Sequence, residues 1–94
     1  MHSRTDLIRE ARLLHLLDAP PAQPRLRGNM LIELGMYEGD AAHLAQFEPD
    51  EIAADPELQR FAAMVDEHLA ELVGDMATAW PAADLEAARA AAAA

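Results

Sequence analysis

The side chains in this chain that could bind a metal or move a proton are four histidines and seventeen acids. Three histidines have an acid at helical spacing: His15 with Asp18, His43 with Asp40, and His68 with Glu71. Imidazole and carboxylate together suit Zn, Ni or Fe. A dinuclear carboxylate bundle takes a Glu-x-x-His from each of two helices and two further Glu. Only Asp40-x-x-His43 has that order here, with Asp replacing Glu; the other two pairs run the reverse way. The spacing therefore predicts no metal centre. The alternative is a ferritin-like or haemerythrin-like bundle, built by oligomerisation, for which His43, His68, Asp40 and Glu71 are the candidate ligands. His68 falls at the edge of an apolar helical arc, where a half-buried histidine is expected.

Other reactive equipment is sparse. Asp50-Glu51, Asp55 with Glu57, and Asp66-Glu67 are paired carboxylates. Acid–base catalysis needs two carboxyls in different environments of one cleft. On an amphipathic helix such neighbours form a solvated face. Ser3 is the only serine, and its position suits a helix cap. None of the four glycines opens a phosphate-binding loop. With no cysteine, a disulfide scaffold and a thiolate zinc site are excluded. The expectation is a protein that is not an enzyme and uses no cofactor.

Charge says more. The net charge of −10 opposes binding to phosphate backbones, so no nucleic-acid partner is expected. An acidic mimic that occupies a nucleic-acid-binding surface is a further alternative. All seven basic residues are Arg, and five of them (Arg4, Arg9, Arg12, Arg25 and Arg27) lie in the first 27 residues. Guanidinium forks pair with carboxylates of the same chain or of a partner. Among them runs Leu13-Leu14-His15-Leu16-Leu17, apolar nearly all round. A helix end of that kind is covered on several sides. Leu13, Leu16 and Leu17, with Arg9 and Arg12, are the candidate interaction surface. The function this predicts is a non-catalytic helical module for protein–protein contact: a small regulator, an inhibitor, or an antitoxin-like or chaperone-like protein.

These residues must be carried by helices. Ser3 and Asp6 form an acidic capping box ahead of a stripe through Leu7, Ala11 and Leu14. Pro20, Pro21 and Pro24 end that helix and predict a stiff, extended connector suited to a helix–helix reversal. A second helix is expected from Arg25 to Glu38, with Gly28 and Gly35 as places of close helix–helix approach. Gly39 is read as a break, and Asp40 as the cap of a short helix ending near Phe47. Pro49 to Ile52 suits a single turn. Asp55-Pro56-Glu57 is the strongest start signal in the chain. From there Leu58, Phe61, Val65, Leu69, Leu72 and Met76 recur every three to four residues. Trp80-Pro81 stops that helix, and an alanine-rich helical tail follows. No alternating β pattern and no repeat are present.

The fold class predicted is all-α: a small antiparallel bundle of three to five helices, completed by dimerisation. Residues 1–80 form the domain and 81–94 a weakly docked tail. Of 49 hydrophobic residues, 22 are alanine, which leaves a thin core. Ordering costs about 1 to 2 kcal/mol per residue, and a buried large side chain returns about 1.5 to 3 kcal/mol. A homodimer or a hetero-partner is expected on that ground. Neither a secretory leader nor a membrane span is legible, so the expected location is cytoplasmic.

Overall fold

A computed structural model describes residues 3–94. The elements are α1 (Arg4–Ala11), a 3₁₀ turn (Arg12–His15), α2 (Leu26–Leu44), α3 (Pro49–Ala54), α4 (Pro56–Ala79) and α5 (Ala82–Ala93). No strand occurs among the described residues. Ser3 caps α1 through a complete box: its hydroxyl accepts from the Asp6 N–H, and the Asp6 carboxylate accepts from the Ser3 N–H. Asp55 caps α4 by accepting from the N–H groups of Glu57 and Leu58, with Pro56 in the first turn where no N–H is needed. Glu48 and Glu51 build a second reciprocal box at the start of α3.

Three local expectations are corrected. Gly39 does not break the chain; α2 continues to Leu44 and Asp40 lies inside it. Glycine lowers helix propensity by about 1 kcal/mol without forbidding the conformation. Burial continues along one side of α2 past Gly39, with Met30 and Leu34 in one core compartment and Leu44 in the other. The proline connector is not extended. It folds back through a turn in which the Gln23 N–H donates to the Pro20 carbonyl at 3.0 Å. Finally, α1 tightens to 3₁₀ geometry at Arg12, which points Leu13 and Leu14 into the core and turns Leu16 outward.

Helix directions follow from the cross-links. Arg4 meets Asp66, and the Trp80 indole N–H donates to the Asp18 carbonyl at 2.8 Å, so α1 and its extension run the same way as α4. Tyr37 meets His68 and His43 meets Phe61, so α2 runs opposite to α4. The bundle is therefore mixed in direction rather than wholly antiparallel. The 3₁₀ turn and the connector reverse the chain between α1 and α2, so two helices of opposite sense both pack on α4.

The core has two compartments. One gathers Leu13, Leu14, Leu17, Met30, Leu34, Leu72, Met76 and Trp80, and it includes Leu85 and Ala88 of α5. The other joins Leu44, Ala62, Val65 and Leu69. Tyr37 packs against both. Residues 81–94 are thus partly integral: Leu85 and Ala88 are buried, and Arg89 of α5 forks onto Glu10 of α1, while the last five residues are exposed. Alanine at this place suits a helix that must approach closely with little side-chain volume.

Candidate docking groove

Leu13, Leu16 and Leu17 do not act together. Leu13 and Leu17 are 3% and 5% exposed, within the chain's own core, whereas Leu16 is 52% exposed. Two of the three leucines thus lie in the fold, and of the three only Leu16 is open to solvent. Trp80, with Leu85 and Ala88 of α5, shares the core cluster of Leu13 and Leu17.

Leu16 stands between two hollows. The first, about 440 Å³, lies between Ile8, Leu13 and Leu16 on one side and Ala92 of α5 on the other, with Arg9 and Arg12 among its walls. The second, about 490 Å³, is formed by Leu16 with Pro20, Pro21, Trp80, Pro81 and Ala91. Both volumes are of the size that holds side chains of a ligand or a partner segment. The rim is cationic where it meets α1. Arg12 is held by Glu38 of α2, 2.7 Å away, so its fork is already engaged. Arg9 is more available: it is three-quarters exposed, and Asp6 lies 3.5 Å from it.

Two other N-terminal arginines are structural. Arg4 binds Asp66 at 2.7 Å, and Arg27 donates to the Leu14 carbonyl at 2.9 Å. The latter bond caps the end of the 3₁₀ turn from a neighbouring helix, a use that spacing alone does not reveal. The Glu10 carboxylate raises the pKa of Arg89 above the ordinary arginine value, chiefly through their hydrogen bond.

The metal candidates do not converge. Among the described residues no group of three or more His, Asp or Glu is close enough to hold an ion. His43 packs edge-on to Phe47 and near Phe61, with ring centroids 5.6 and 5.9 Å away. His68 lies against Tyr37 at 5.4 Å. Glu71 and Asp40 act on Tyr37 instead. Its phenol is pushed above its usual pKa, first by burial and then by Glu33, Glu71 and Asp40. Helical spacing puts Tyr37 in the apolar stripe of α2 after Leu26, Met30 and Leu34; that an acid of α4, Glu71, also faces it is not legible from spacing within one helix.

Comparison with protein-family models, with curated proteins and with solved structures finds no match for this chain. The class defined by the fold is a small all-helical protein. No helix among the described residues is long and apolar enough to cross a membrane.

Proposed function

We propose that this chain is a non-catalytic, cytoplasmic helical module for protein–protein contact, associating with a second copy or with a different protein. The observation that carries the reading is Leu16: a large apolar side chain, half exposed, shared by two hollows and bordered by Arg9 in an otherwise acidic molecule. A partner segment that fits presents an apolar side chain to the hollows and a carboxylate to Arg9. Burial of Leu16 would supply affinity, while the charge pair would select the partner and speed its encounter.

Metal binding in a ferritin-like or haemerythrin-like bundle draws less support, because His43 and His68 pack on aromatic rings of different pairs. Acidic mimicry of a nucleic acid rests only on Glu67, Glu71 and Asp75 along the outer face of α4. The test is site-specific photocrosslinking in the cells the protein comes from, with a benzophenone side chain at position 16 or, as control, at the exposed Met64. The reading predicts a discrete adduct from position 16 that weakens with Arg9→Glu and is absent from position 64. The same adducts from both positions would contradict it.

A further inference from the structure

The face of α2 opposite the core is uncharged yet leaves two large apolar side chains, Ile32 and Met36, in the open. Around the α2 helix, Gly28, Ile32, Gly35, Met36 and Gly39 fall within an arc of about 100°. All five are exposed, with Ile32 at 66% and Met36 at 62%. Ala42 and His43 extend the arc toward the C-terminal end. No Asp, Glu or Arg of α2 lies in it, although the chain carries twenty-four such residues. The outer face of α4, by contrast, intersperses Glu57, Arg60, Glu67, Glu71 and Asp75.

The glycines sharpen the observation. A methyl group added at Gly28, Gly35 or Gly39 would meet nothing within 4 Å. The close helix–helix approach expected at Gly28 and Gly35 is therefore absent inside the chain. Each lowers the helix propensity of α2 by about 1 kcal/mol relative to alanine. The packing of α2 on its buried side offsets this cost, but no close contact at the glycines themselves calls for them. A helix docking from outside would, because glycines let two axes come near and let Ile32 and Met36 settle over the neighbour's backbone.

We infer that this face joins two copies of the chain through an antiparallel α2–α2 contact, centred between Ile32 and Met36. Charge selects both the occupant and the direction. Arg25 lies at the N-terminal end of the face and Asp40 beside its C-terminal half, and neither side chain has an ion-pair or hydrogen-bonded partner among the described residues. About a midpoint at position 34, Arg25 and Asp40 lie roughly 13 and 9 Å away on opposite sides along the axis. An antiparallel twofold brings Arg25 of one copy alongside Asp40 of the other, twice per dimer, and sets Ile32 opposite Met36. A parallel arrangement leaves both charges unmatched and aligns the two helix dipoles side by side. The same patch serves both copies, as a twofold interface requires. Glu33 lies about 110° from the centre of the face and stays in water.

The contact rests on the reading of the chain as an association module but uses a surface distinct from the Leu16 groove. Sedimentation equilibrium of the full chain tests it. The wild type is expected to reach twice the 10.2 kDa chain mass as concentration rises. Ile32→Glu is expected to abolish the dimer with helix content unchanged by circular dichroism. Arg25→Asp and Asp40→Arg should each weaken it by about tenfold, and the double charge swap should restore it. A wild type that stays monomeric at the highest soluble concentration overturns the inference. So does a dimer that survives Ile32→Glu but is lost in Leu16→Asp, although that result leaves the association reading standing. Absence of the position-16 adduct, with the α2 dimer intact, contradicts the groove alone.

Discussion

At the scale of single residues, three leucines of one short segment divide sharply in role. Leu17 belongs to the core, so Leu17→Asp should unfold the chain rather than dissociate it. Circular dichroism would register a loss of helix, because an unpaired carboxylate would have to be buried. Leu16→Asp should leave the unfolding midpoint nearly unchanged, as expected of a surface substitution. Equal losses in the two variants would mean that Leu16 also serves the fold. The sequence made this cluster conspicuous but could not divide it. The division depends on 3₁₀ geometry after Arg12, which rotates successive side chains by more than an α-helix does.

Tyr37, the only tyrosine, offers a second residue-scale test. Burial and the acids Glu33, Glu71 and Asp40 raise its folded pKa above the unfolded value of 10.0. Its neutral form therefore stabilises the fold below that pH, and this contribution disappears as pH rises through the folded pKa. A titration of tyrosinate absorbance should give a midpoint above that of the denatured chain. Tyr37→Phe should lose less stability than wild type on going to strongly alkaline pH. Coincident midpoints in folded and denatured chain would contradict the assignment.

At the scale of elements, α4 was the most legible. Its Asp-Pro start, its apolar repeat and its Trp-Pro stop all act within a few residues of each other, and each appears in the structure. Helix α2 was harder to read because its glycines act against its packing. Local propensity favours a break at Gly39, whereas the burial of Leu34, Ala41 and Leu44 along one side favours continuity, and the tertiary contacts win. It follows that Gly39→Ala should stabilise the monomer by about 1 kcal/mol, measured by urea unfolding in dilute solution. The same substitution should weaken the α2 dimer, since its methyl group would stand in the contact. A variant that destabilises the monomer would mean that the glycine has a conformational role inside the chain.

The C-terminal segment gives a related prediction. Composition alone suggested a loose tail, because Leu85 is its only large apolar residue. The structure places that one leucine, with Ala88, in the larger core compartment. Ending the chain after Pro81 should therefore cost roughly 1.5 to 3 kcal/mol of stability, the value of one buried leucine. A truncated chain as stable as the full one would show that α5 contributes little.

At the scale of the whole molecule, the described chain measures 46 × 27 × 19 Å, with a radius of gyration of 14.6 Å. A compact domain of this length would have a radius near 12 Å. The shape follows from a long α4 that supports two core compartments end to end rather than one round core. Such a rod covers its apolar residues less completely. Leu16, Ile32, Met36 and Met64 remain outside. The thin core was legible in the alanine count; the particular surfaces left over were not, because they depend on which helix faces meet α4.

The claim tested most directly is that the apolar face of α2 left outside the fold joins two copies of the chain. Its most direct measurement is the thermal unfolding midpoint of the wild type as a function of protein concentration. Association of the folded form raises that midpoint by mass action. The account predicts a midpoint that climbs with concentration in the wild type and stays flat in Ile32→Glu. A flat wild-type profile across the accessible range would contradict it.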